Sequence, residues 1–179
     1  MKSRALSSVL VCCLLWTVAL AAQQSLQVVS LTRDGRVLVT FKLADAFNED
    51  VRAAIQSGMT TSFVYDIELK RGSTMWLDRT IASTTLTASV RFDNLTRRYF
   101  LSRSQDGRID RAENTDREED ARLWLTEFDR LPLFSSASLE ANAEYYLRVR
   151  AHATPRSASF VWPWGRHDVT GHVTFTFLK

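Results

Sequence analysis

Period-two alternation of apolar and polar residues recurs along this chain, and no other feature constrains its fold as tightly. Val37, Val39, Phe41 and Leu43 alternate with polar residues that include Arg36, Thr40 and Lys42, and Phe63, Tyr65, Ile67 and Leu69 with Asp66, Glu68 and Lys70. Leu86, Ala88, Val90 and Phe92 stand opposite Thr85, Thr87, Ser89 and Arg91. Near the end, Tyr145, Leu147, Val149 and Ala151 oppose Tyr146, Arg148, Arg150 and His152, and Val173, Phe175 and Phe177 alternate with threonines. Successive strand residues point to opposite faces, so each stretch predicts a strand with one wet face. One-sided strands in succession imply an antiparallel sheet whose apolar face a second layer must cover.

The segments between these runs carry turn and helix signals. Asp34-Gly35 splits the run from Leu26 to Leu43 and predicts a tight hairpin, because both residues tolerate the positive φ it needs. Asn48 is placed to cap a short helix that turns Val51, Ala54 and Ile55 inward and ends at Gly58. A strand is expected over Thr96 to Ser102. The polar segment from Arg103 to Asn114 offers little to bury. Thr115 followed by Glu118 has the form of a capping box, opening a helix with a core stripe of Ala121, Trp124, Phe128 and Leu131 that Pro132 would end. The expected order is strand-strand-helix, three strands, a helix, then at least two strands. The fold class is mainly β with two helices (α+β), an antiparallel β-sandwich-like sheet with short helices packed on it.

The N-terminus reads as an address. Lys2 and Arg4 precede an uncharged run from Ala5 to Leu20, and Ala19-Leu20-Ala21 supplies the small residues of a signal-peptidase site, so residues 1–21 are expected to be cut after Ala21. A retained membrane anchor is the competing reading, since the run approaches the roughly 20 residues that span a bilayer. Removing 21 of 179 residues leaves 158 as a single exported β-rich domain, residues 22–179. Cys12 and Cys13 leave with the signal, which excludes disulfides, thiolate catalysis and cysteine-bound zinc from the mature domain. Lys2 and Arg4 leave too, so 21 basic residues face 20 acidic ones, without a basic stripe; nucleic acid is discounted, as is membrane association after cleavage.

Chemistry-bearing patterns are sparse. Asp106, Gly107, Ile109, Asp110 and Glu113 partly match a calcium loop, but Ser102 and Ser104 stand where carboxylates are needed and Arg103, Arg108 and Arg111 oppose a cation, so Asp106-Gly107 is better read as a turn. His152, His167 and His172 have no metal-binding spacing, and no Gly-x-Ser-x-Gly elbow accompanies the serines. Asp66 and Glu68 lie on a wet strand face where Arg148 or Arg150 can pair with them, while Glu118, Glu119 and Asp120 suit the first turn of a helix. No catalytic residue, metal or cofactor is expected. Trp76, Trp162 and Trp164 are the aromatic residues that alternation leaves unexplained, and they are the candidate binding residues; the competing reading is that they plug the ends of the sandwich.

Three stretches also carry a resemblance: Phe63-Val64-Tyr65-Asp66-Ile67-Glu68-Leu69-Lys70-Arg71 with Trp76 after it, Val90-Arg91-Phe92-Asp93-Asn94-Leu95-Thr96-Arg97-Arg98-Tyr99-Phe100-Leu101, and Tyr145-Tyr146-Leu147-Arg148-Val149-Arg150. Together they resemble the bacterial exported domain-of-unknown-function family numbered 4390, over about Leu26 to Phe177, most specifically around Asp93-Asn94-Leu95-Thr96 and Tyr99. The resemblance implies a bacterial envelope protein in the periplasm, encoded near a membrane sensor kinase, and supplies no catalytic residue. The expected function is a non-enzymatic binding or interaction module with an envelope protein as partner. An accessory or sensory partner of a membrane histidine kinase and a periplasmic hydrolase are the alternatives.

Overall fold

The computed structural model describes residues 25–72, 79–154 and 168–178. Strands β1 (Leu26–Arg33), β2 (Arg36–Leu43) and β7 (Glu127–Ser135) form a three-stranded sheet in the order β1-β2-β7. A six-stranded sheet runs β6 (Arg108–Thr115), β5 (Arg98–Gln105), β4 (Arg79–Asp93), β3 (Thr61–Arg71), β8 (Glu144–Thr154), β9 (Val169–Thr176). Every pairing is antiparallel. Helix α1 (Glu49–Gln56) crosses from the small sheet to the large one and α2 (Glu118–Thr126) crosses back. Both helices lie against the large sheet, α1 on β3 and β4, α2 on β4 and β5. The architecture is the expected antiparallel sandwich with two short helices packed on it.

The alternating residues form the core. Val37, Val39, Phe41 and Leu43 of β2 meet Phe63, Tyr65, Ile67 and Leu69 of β3 and Tyr145, Leu147 and Val149 of β8, all fully buried. Each such side chain contributes about 1.5–3 kcal/mol of burial. At the centre, Phe41, Tyr65 and Phe128 touch pairwise, with ring centroids 4.5 Å (Phe41–Phe128), 4.9 Å (Phe41–Tyr65) and 5.1 Å (Tyr65–Phe128) apart. This triplet joins β2, β3 and β7, so it fastens one sheet to the other. The Tyr65 hydroxyl donates to Leu125 O at 2.6 Å, which satisfies a carbonyl of the last turn of α2. Burial pushes the Tyr65 phenol far up, so it remains a neutral donor.

Several turns and one helix start have the geometry their sequences predict. Asp34 and Gly35 both have positive φ (50° and 73°), as a two-residue hairpin of primed type requires, and β1 pairs with β2 across it. Asp106 (49°) and Gly107 (80°) do the same between β5 and β6. The Asn48 side chain accepts the Val51 amide at 3.0 Å, Val51, Ala54 and Ile55 are buried, and Gly58 follows the helix at φ 86°. Between β4 and β5, Asp93 accepts the amides of Leu95 (2.8 Å) and Thr96 (3.1 Å), which hold its carboxyl below the usual range. The stretch that carried the family resemblance most specifically is therefore a braced turn, with Tyr99 buried beside it.

Three expectations fail. The expected order has no strand between Ser102 and the second helix, yet Arg108–Thr115 forms edge strand β6, exposed along nearly its whole length and so without an apolar face to betray it. The second helix does not run to Pro132. It stops at Thr126 and the chain turns at once into β7, which places Phe128 and Leu131 opposite Phe41 and Val39 of β2. Pairing along β2 outweighs the helical spacing, and Pro132 is tolerated because β7 is an edge strand. Thr115 is not the helix cap either; its hydroxyl accepts the Arg117 amide and donates to Asp120.

Candidate functional site

The outer face of the large sheet is a charged surface assembled from the polar halves of the alternating strands. Register places Arg150 opposite Asp66, Arg148 opposite Glu68, and His172 opposite Arg148. Glu68 is the hub: its Oε2 pairs with Arg148 and, at 3.3 Å, with Lys70 Nζ. Asp66 accepts the Thr85 hydroxyl at 3.0 Å, and its Oδ2 lies 3.5 Å from His152 Nδ1. That nitrogen is buried and has no hydrogen-bond partner among the described residues. Arg150 has no ion-pair partner among them. A depression of about 210 Å³ lined by Asp66, Glu68, Ser83, Thr85, Arg148 and Arg150 lies over these groups.

The electrostatics favour an ionised Glu68. Burial alone would raise the Glu68 carboxyl, but hydrogen bonds from Arg148 and Lys70 outweigh it and hold Glu68 below the usual carboxylate range. A depressed carboxylate contributes stability that is present above its unfolded value, about 4.3, and is lost as pH falls through the folded one. Arg148→Met is expected to raise the Glu68 midpoint and start acid destabilisation at higher pH. A carboxyl-carbon NMR titration checks this, and an unmoved Glu68 midpoint would refute the pairing.

The sequence candidates fare unevenly. Trp76, Trp162, Trp164, His167 and the Ala21 cleavage position lie outside the described residues. The strand ends that flank residues 73–78 and 155–167 are at opposite ends of the large sheet, since Arg71 pairs with Tyr145 and Ser62 with Thr154. Glu68 pairs with Arg148, as alternation suggested, whereas Asp66 faces Arg150 without an ion pair and contacts Thr85 and His152 instead. Asp168 is exposed at the start of β9 and does not line the Glu68 depression. The acidic first turn of α2 is internally engaged: Glu118 with Arg52 (2.7 Å), Glu119 with Arg122 (2.6 Å), Asp120 with Thr115 (2.7 Å). Asp106 is committed to its turn through Thr84 Oγ1 and the Thr85 amide. Among the described residues no group of three or more His, Cys, Asp or Glu is placed to hold a metal ion, and no helix is long and apolar enough to cross a membrane.

Sequence reasoning missed Arg103. It rises from β5 between the two sheets, with its guanidinium carbon 4.0 Å from the centroid of Phe128 and 4.5 Å from that of Trp124. Its Nη2 donates to Trp124 O (2.6 Å) and Glu127 O (2.8 Å), and its Nε to Trp124 O (3.3 Å). It thus caps the C-terminus of α2 from another element, where a cation also suits the helix dipole. Burial and the like charge of Arg111 push this guanidinium down to about 10, so it stays charged at neutral pH. The only hint was an arginine at an inward-facing parity, two residues after Leu101.

No curated protein and no solved structure matches the chain significantly. A family model matches residues 21–157, most of the described fold from β1 through β8. The chain belongs to the family described as domain of unknown function DUF4390.

Proposed function

We propose that the chain is an exported, periplasmic, non-enzymatic binding module, and that it presents the outer face of its six-stranded sheet to a protein partner of the envelope. The observation that carries this reading is Arg150, a cation with no ion-pair partner among the described residues, standing beside the Glu68 hub at the shallow depression. Charged groups arrayed on a flat sheet provide specificity and steer encounter with a complementary surface more than they enclose a substrate. Export is supported by Lys2 and Arg4 ahead of an uncharged run and by the small residues at Ala19 and Ala21.

Arg150→Glu is the direct test. The unpaired cation becomes an anion beside Asp66, on an outer face away from the core, so the fold should survive while recognition fails. The envelope protein that co-purifies with the unaltered chain is expected to be reduced at least tenfold, while the unfolding midpoint falls by only a few degrees, since like charges facing each other across two strands cost about 0.2–1 kcal/mol. Equal recovery from both chains would remove this face from the reading.

A further inference from the structure

The sandwich opens between β7 and the β5–β6 hairpin. A cavity of about 180 Å³ there is walled by Leu86, Phe128, Leu131, Pro132 and Leu133, with Arg103 and Asp110 among its lining residues. Its apolar walls come from both sheets. Arg103 is the cation inside. Its Nε and Nη2 are engaged by the carbonyls of Trp124 and Glu127, but Nη1 makes no hydrogen bond to a described residue. Asp110 in the lining and Glu113 act on this guanidinium from a distance, but neither forms an ion pair with it among the described residues, and Arg111, 5.3 Å from the Trp124 ring, adds a second positive charge beside it.

We infer that this cavity binds a carboxylate on a short branched aliphatic group, with the carboxylate on Arg103 Nη1 and the aliphatic part between Leu86, Leu131 and Leu133. The carbonyls at the end of α2 offset part of the Arg103 charge, and a ligand carboxylate would complete its neutralisation in a half-dry setting, where charge-assisted hydrogen bonds are strong. The apolar walls fix the other end, in the usual division of labour of a small-ligand site. The chemistry fits a free branched short-chain acid or the C-terminal leucine of a peptide. This site lies between the sheets and is separate from the outer face assigned to a protein partner.

The test uses the purified, isotope-labelled protein, titrated with 4-methylpentanoate and read from the Arg103 Nε–H and Trp124 indole N–H resonances. A saturable shift of both is expected, with at least tenfold weaker binding of 4-methylpentanamide, which keeps the shape and lacks the charge. Leu131→Trp fills the cavity while leaving residue 103 itself unaltered and is expected to abolish the shift. A tripeptide ending in leucine separates the sources: tighter binding than the free acid assigns a peptide terminus, weaker binding a small acid. Equal binding of acid and amide, no saturable shift, or retained binding by a folded Leu131→Trp chain would overturn the inference. The acid and amide comparison needs no variant, so it decides the matter even if Leu131→Trp fails to fold.

Discussion

Gly171→Val is expected to destabilise the domain by about 3 kcal/mol, as overpacking against an immovable neighbour does. A Cβ on residue 171 of β9 would lie 2.4 Å from the backbone oxygen of Leu26 and 2.9 Å from Val28 Cγ2. An oxygen of the main chain cannot rotate away as a side chain can. Leu26 is moreover pinned to Leu43 across the β1–β2 hairpin, so the whole β1 strand must lift from β9. For a domain of this size the loss corresponds to a fall in Tm of roughly 6–12 °C. Gly35 provides the contrast. It has open space around it but φ +73°, so Gly35→Asn should be nearly neutral while Gly171→Asn is not. Thermal unfolding of the three variants checks the account, and a Gly171→Val chain as stable as the parent would show that β1 does not lie against β9 as described.

Arg103→Ala should cost a comparable amount, about 3 kcal/mol, for a different reason. Two carbonyls at the end of α2 lose their donor, each worth about 1–3 kcal/mol when left unsatisfied, and the rings of Trp124 and Phe128 lose the cation between them. Part of that is returned, because burying the guanidinium is itself costly, as its downward shift to about 10 shows. The net therefore falls below the sum of the parts. Arg103→Lys keeps the charge but loses the fork that reaches Trp124 O and Glu127 O together, so it should fall between alanine and arginine. Urea denaturation gives the difference, and amide exchange of α2 should rise with it. A loss below 1 kcal/mol for Arg103→Ala would mean that the helix end is held by something other than this side chain.

Much of the sandwich could be read in the sequence because most strands are wet on one face and dry on the other. β2, β3, β4 and β8 announced themselves by alternation, and the β1–β2 hairpin by Asp34-Gly35. β6 was invisible for the converse reason: an edge strand exposed on both faces has no periodicity to show. The turn at Asp106-Gly107 was the available signal, since a hairpin turn needs a second strand after it. β7 was hidden by a false period. Ala121, Trp124, Phe128 and Leu131 do recur at helical spacing, but the last two serve a strand whose place is set by Phe41 across the sheet.

The outer-face site was half legible. That Asp66 and Glu68 face the β8 arginines follows from alternation once β3 and β8 are neighbours, but which arginine pairs and which has no ion-pair partner among the described residues depends on register, and register is a tertiary property. Arg103 was missed because an arginine in a polar run gives no sign that it points inward. Its role appears only when β5 and the end of α2 are side by side.

Photo-crosslinking in intact cells decides whether the outer face of the large sheet is the partner surface. A photoreactive residue at Ser83, beside the Glu68 depression, is compared with one at Thr40 on β2, outside the depression. One adduct of defined mass is expected from Ser83, lost with Arg150→Glu, and none from Thr40. No adduct from Ser83, or equal adducts from both positions, would contradict it.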